Sequence, residues 1–257
     1  MSRRLARIRG PRAHARGQSM VEFVIILPVL LLLVLGIIQF AQIYIAKNTL
    51  DLAAYEGVRQ GTLHNASAKW IDCGLAHGLM PLYGGSTAVS STKAAWLTGE
   101  CRVLAFGPTS TDFQRYAAAY SNAFYAIKPP PSALGGGTPA VKLDIVNPST
   151  AAFAEFGVTG LSTKKEIPND RLMWRSTAAG SSRENIQEAN LLVIRVTYCY
   201  PMDVWFIRQV VQGLAIGAHK LIGTQSTFNT QCFVSGGVPL VAQSTMLMQS
   251  PAQQTIL

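Results

Sequence analysis

The chain has 257 residues, 49% of them hydrophobic, with 22 lysines and arginines against 13 aspartates and glutamates. Arg3, Arg4, Arg7, Arg9, Arg12 and Arg16 all stand in residues 1–17, so 16 basic side chains face 13 acidic ones in the rest, and the net +9 falls to +3. A scattered +3 excludes a nucleic-acid-binding stripe, and about 210 residues beyond leader and first span suffice for one ordinary domain or two small ones.

The leader ends in Arg16-Gly17-Gln18-Ser19-Met20-Val21-Glu22-Phe23, after which the sequence stays apolar to Ala46. A charge-free helix of about 24 residues spans the hydrocarbon core of a bilayer. The arginines before it hold that end in the cytoplasm, so everything after Ala46 is expected outside. Three readings compete for residues 1–46. A cleaved secretory signal needs a shorter apolar core and a small-x-small site behind it, and Ala41-Gln42-Ile43 offers none. A plain signal-anchor accounts for the span and its arginines but not for Gly17 or Glu22. A cut on the cytoplasmic side after Gly17 accounts for both. It frees an α-amino group on Gln18, and Glu22 lies about 6 Å further along a helix. In a stagger of such helices, Glu22 of one subunit meets the Gln18 amine of the next. A wrong register would leave two buried charges unpaired, so the pair sets register more than it adds stability.

Gly17-Gln18-Ser19-Met20-Val21-Glu22-Phe23, followed by Leu27-Pro28-Val29-Leu30 and Gly36-Ile37-Ile38-Gln39-Phe40, resembles the TadE-like family. These are the minor pseudopilins of tight-adherence (Flp, type IVb) pilus systems. The continuation Leu50-x-x-Ala53-Ala54-x-Glu56-Gly57-x-Arg59-x-Gly61 resembles the segment after the span in that family. The resemblance covers about 45 residues and lends little beyond residue 61. It implies processing by a prepilin peptidase, with Gly17 before the cut and Gln18 after it, and Glu22 fifth in the mature chain. The assembly residues are then Glu22, Phe23 and Pro28. A proline inside the span removes one backbone bond and kinks the helix or melts a turn.

Beyond the span, Leu50, Ala53, Ala54, Gly57, Val58 and Gly61 recur at spacings of three and four, a stripe of small residues that can lie tightly against a sheet or helix. One long helix is therefore expected to about Leu63. Glu56 and Arg59 are expected to form an exposed ion pair, and Asn65-Ala66-Ser67 fits a glycosylation sequon. Residues 66–82 and 88–98 read as short helices and Arg102–Phe106 as a strand. Asp112–Ile127 reads as a helix capped by Thr111, with Phe113, Tyr116, Ala117, Tyr120, Phe124 and Ile127 on a core face. Lys128–Pro139 is a Pro- and Gly-rich loop. Val141–Val146 reads as a strand, and residues 157–188 as a polar surface excursion. Leu191–Tyr200 is the strongest strand, stopped by Pro201. Trp205–Ile216 reads as a helix, and Phe228–Val234 and Pro239–Gln249 alternate like strands.

Cys73, Cys101, Cys199 and Cys232 all fall in the exported part, and an even count in an oxidising compartment points to two disulfides. Of three possible pairings the sequence-local one, Cys73–Cys101 with Cys199–Cys232, is favoured. There is no Cys-x-x-Cys, and the four histidines sit at no ligand spacing, so neither metal nor cofactor is expected. Asp112, Asp144, Asp170 and Asp203 are isolated and read as caps or turns. No catalytic motif stands out, and no enzyme is expected.

The expected fold is α+β and pilin-like: a long N-terminal transmembrane helix extending into an exported domain with a small antiparallel sheet and short helices. The expected divisions are a leader over 1–17, a long helix over 18–63 with its span at about 23–46, a helical part over 64–127, a loop over 128–139 and a β-rich part over 140–257. The function expected is that of a pseudopilin-like subunit in pilus or secretion assembly. Its partners would be the inner membrane, a prepilin peptidase and other pilin and pseudopilin subunits, with no nucleic acid. The alternative is an uncleaved single-pass envelope protein whose exported domain binds a partner or ligand.

Overall fold

Helix α1 runs unbroken from Gln18 to Leu63, 46 residues that pass through Pro28. It opens a mixed α+β chain, for which a computed structural model describes residues 18–84, 111–129, 138–159, 164–180, 183–202, 204, 208–209, 213 and 227–254. Two compact units divide the chain, Met1–Ala41 and Gln42–Leu257. In the first unit, every residue from Met20 to Val34 is exposed.

In the second unit, α1 buries one stripe: Ala46, Leu50, Ala53, Ala54, Gly57, Val58 and Gly61. The small residues are there because another backbone comes close. Helix α2 (Ala68–Tyr83) runs back along α1. A Cβ added at Gly78 would lie 2.3 Å from the Cα of Ala53, and one at Gly74 would lie 2.7 Å from the carbonyl oxygen of Glu56. From the α1 side, a Cβ at Gly57 would meet Leu75 at 2.8 Å, and one at Gly61 would meet Ile71 at 2.7 Å. Contacts that descend on one helix as they rise on the other define an antiparallel hairpin. Ile71, Leu75 and Leu79 fill its groove and are fully buried. Helix α3 (Thr111–Ile127) packs on α2 and brings in Tyr120 and Phe124, while Tyr116 stays 37% exposed at the edge of the aromatic face. The Tyr120 hydroxyl donates to the Cys73 carbonyl at 3.4 Å.

The main sheet has the order β1–β4–β5, all antiparallel: β1 is Val141–Asn147, β4 is Leu191–Pro201 and β5 is Gly237–Leu247. The even-numbered residues Leu192, Ile194 and Val196 of β4 point into the core. Leu192 and Ile194 are also the side chains that close over Gly61 and Gly57, so α1 lies across this face. The opposite face carries Lys142, Asp144 and Arg195, with Lys142 bonded to Asp144 at 2.9 Å. Asp144 is thus a strand residue rather than the expected cap or turn, because its outward register lets it meet Lys142. Asp170 does sit in a turn and pairs with Arg175 at 2.9 Å. The expected Glu56–Arg59 pair is present at 3.9 Å.

A second small sheet joins β2 (Val158–Thr159), β3 (Lys165–Ile167) and β6 (Ala252–Gln253) in the order β2–β3–β6. With a 3-10 turn at Leu172–Trp174 and the short helix α5 (Ile186–Ala189), it gives residues 157–188 more regular structure than their polarity implied. Helix α4 (Thr150–Phe156) was not anticipated; Ser149 caps it, accepting from the Ala152 amide at 3.1 Å. The sequon is spent on structure. Asn65 has φ +58, donates through Nδ2 to the Pro251 carbonyl at 2.8 Å and accepts from the Gln253 amide at 3.0 Å.

One expected strand is a helix. Phe228–Val234 lies in α6 (Thr227–Val234), which closes through Gly236 at φ +86 into β5. Alternation at Phe228, Thr230, Cys232 and Val234 fits either period over so short a run, and the left-handed glycine behind it was the stronger signal. The expected helix 88–98 and strand Arg102–Phe106 lie outside the described residues. Of Trp205–Ile216, only Arg208, Gln209 and Gly213 are described, and all three are helical.

Gly78→Val is expected to destabilise the second unit by about 3 kcal/mol, because backbone of α1 has to yield. Gly36→Val, where an added Cβ meets nothing within 4 Å, is the control. Denaturant unfolding of the solubilised full chain, followed by tryptophan fluorescence, checks both. Burial, with the Tyr198 hydroxyl beside it, raises Tyr83 well above the usual tyrosine range, and burial does the same to Tyr120. The folded chain keeps these protons while the unfolded chain releases them, so stability falls as pH rises above roughly 10, by at most about 1.4 kcal/mol per unit for each tyrosine. Unfolding midpoints between pH 9 and 11 measure this, and Tyr83→Phe should flatten the slope.

Candidate functional site at the head of the long helix

The residues singled out in the sequence cluster at one end of one element. Gln18 opens α1 and Glu22 follows one turn later, with Phe23 beside it. The local sequence favours helix from the start: no glycine interrupts it before Gly36, and Leu30 to Leu33 are strong helix formers. Glu22 is exposed and Phe23 is 62% exposed. A single carboxylate thus stands at the head of an uncharged rod, near the positive end of the helix dipole. Gly17 lies outside the described residues.

Pro28 sits inside the continuous helix. Its ring nitrogen cannot donate, so the carbonyl one turn before loses its helical partner. From Phe23 to Ile38 no side chain is polar, and the most apolar 18-residue window is wholly unburied. This is the one described helix long and apolar enough to cross a membrane. Such a surface can do two things: lie in lipid, or pack against other apolar helices.

The disulfide candidates sit elsewhere. Cys199 on β4 and Cys232 on α6 are joined, with Cα atoms 5.6 Å apart. Gly237 fits against both sulfurs; a Cβ there would lie 2.5 Å from Cys199 Sγ. Cys73 on α2 is also disulfide-bonded, while Cys101 lies outside the described residues. A cavity of about 420 Å³ opens beside the Cys199–Cys232 bridge, lined by Tyr83, Tyr198, Pro201 and Phe228 among others. Among the described residues its lining offers no acid–base pair. Among the described residues no group of three His, Cys, Asp or Glu side chains could hold a metal.

Sequence reasoning missed the second half of the helix crossing. Gly74-x-x-x-Gly78 on α2 answers Gly57-x-x-x-Gly61 on α1, and small residues four apart are the mark of close helix approach. It also missed the corner that the C-terminal segment clamps. There Thr62 O accepts from Ser250 Oγ at 2.9 Å, and the Asn65 amide donates to Ser250 Oγ at 2.8 Å. Only the glycine spacing was visible in the sequence; the clamp joins residues almost 190 apart.

No curated protein and no solved structure matches the chain. The family of TadE-like proteins does match, over residues 17–59. What the chain carries from Gly17, through Glu22 and the apolar span, to Arg59 in the glycine stripe is a TadE-like segment.

Proposed function

We propose that this protein is a minor-pseudopilin-like subunit acting in assembly of a tight-adherence (type IVb, Flp) pilus or a related secretion apparatus. A single pass anchors it in the bacterial inner membrane, N-terminus cytoplasmic and C-terminal domain periplasmic. A prepilin peptidase cuts after Gly17, and Gln18 becomes the mature N-terminus. The observation that carries this reading is the extent of the family match. It runs from Gly17 to Arg59 and so takes in Gly17, Glu22, the apolar span and the small-residue stripe as far as Val58.

The physical roles follow. Before processing, the arginine leader and the span hold the subunit in the membrane. After it, the Gln18 amine and the Glu22 carboxylate make the helix head a pair of opposite charges. Buried in an assembly, each needs a partner, and only one stagger of neighbouring helices supplies it. Phe23 and the residues behind it supply the apolar contact, and Pro28 lets the helix adjust. The exported domain is cargo whose cysteines suit an oxidising compartment.

Amino-terminal sequencing of the protein purified from its own cells should begin at Gln18, and upstream of Gly17 when the prepilin peptidase is deleted. A leader left intact in wild-type cells contradicts the proposal. Gly17→Leu should block cutting. Glu22→Ala should leave cutting within about twofold of wild type while co-purification with other pilus subunits falls at least tenfold; undiminished co-purification would remove the charge-pairing role.

A further inference from the structure

The main sheet ends in two edges of opposite character. At one edge β1 carries Lys142 and Asp144, and a bulge between Ile145 and Asn147 breaks its register. Charges and bulges are the usual devices that keep an edge strand from pairing with another chain. At the other edge β5 is 11 residues long, pairs with β4 without a break from Gly237 to Leu247, and holds no charged residue. Residues 221–257 contain none at all.

The direction of the free groups follows from the ladder. The Cys199 amide donates to Ala140, towards β1. The odd-numbered residues of β4 therefore face β1 and the even-numbered ones face β5. Cys199 lies opposite Pro239, so the even residues of β5 bond β4, and Pro239, Val241, Gln243, Thr245 and Leu247 turn their backbone groups outward. Pro239 fits that register, having no amide to lose. Among the described residues none bonds this outer edge. The side chains in this row are accessible too: Val241 is 45% and Leu247 53% exposed, and Gln243 and Thr245 are exposed.

We infer that β5 is a strand-pairing interface whose occupant is β5 of a second copy of this chain, antiparallel and centred on Gln243. The row reads nearly the same in both directions about that residue. Val241 meets Thr245 of the other copy, a pair of β-branched side chains, Gln243 meets its counterpart, and Leu247 meets Pro239. The Leu247 amide donates to the Pro239 carbonyl, and the other outward amides find carbonyls in turn. The absence of charge favours a second copy: self-pairing meets no like-charge repulsion, and a charge-selected partner would find no handle. An isologous contact of this kind closes on itself and joins two three-stranded sheets into one. The inference rests on the edge and not on the reading of the helix head.

The test uses full-length protein in detergent with a nitroxide at Arg195→Cys, on β4 and away from the edge. Two copies paired through β5 place these Cα atoms three strand spacings apart, about 14 Å. Dipolar EPR should show a short distance between labels. Val241→Lys with Thr245→Lys sets like charges opposite each other and should abolish it. Val241→Lys with Thr245→Glu sets opposite charges across the same register and should retain it, which also shows that substitution here leaves the fold intact. No short distance in the parent, its survival in the double lysine variant, or its loss in both variants overturns the inference.

Discussion

At Gly78 the second helix comes so close to the first that one added carbon would overlap the Cα of Ala53. That approach positions much of the second unit. It brings Ile71, Leu75 and Leu79 into a groove where they are fully buried, and at Gly57 and Gly61 it lets Ile194 and Leu192 of the sheet reach α1. Larger side chains at Gly57, Gly61, Gly74 or Gly78 would separate helix from helix and helix from sheet. The corner at Thr62–Asn65, with the C-terminal segment bonded over it, depends on the same geometry. Gly57 lies inside the TadE-like match, whereas Gly74, Gly78 and the sheet lie beyond it.

Helix α1 therefore carries two surfaces that need different surroundings. Its later half is a stripe of small residues already satisfied by the chain's own α2 and β4. In its first half Phe23, Leu30 and Leu33 are all more than half exposed. Uncharged apolar side chains in such number are satisfied only by lipid or by other apolar helices. Glu22 makes lipid alone an incomplete answer, since a carboxylate next to hydrocarbon calls for a cation. The proposed cut supplies one on each subunit.

How much of this was legible in the sequence differs by element. The long helix was, because an apolar run long enough to span a bilayer leads on past Ala46 to small residues spaced three and four apart. Strand β4 was, because Leu191–Tyr200 is dense in β-branched and aromatic residues and Pro201 ends it. Helix α6 was misread as a strand because eight residues cannot separate a period of two from one of 3.6. Helix α4 was missed because Thr150–Phe156 has no clear stripe and announces itself only through Ser149. The register of the β5 edge was closed to sequence reading, since which amides face outward depends on pairings between distant strands. At the helix head the site residues were visible as types and spacings, but a lone acid gains a role only from what stands opposite it.

The central claim is that the exposed half of α1 passes from lipid to a protein assembly through Glu22. A photo-crosslinking amino acid placed at Leu31, which is 52% exposed, reports what touches the span in living cells. The account predicts adducts with other pilin-type subunits when the assembly system is expressed, and their loss in Glu22→Ala. Adducts with lipid alone, or subunit adducts that Glu22→Ala leaves unchanged, would contradict it.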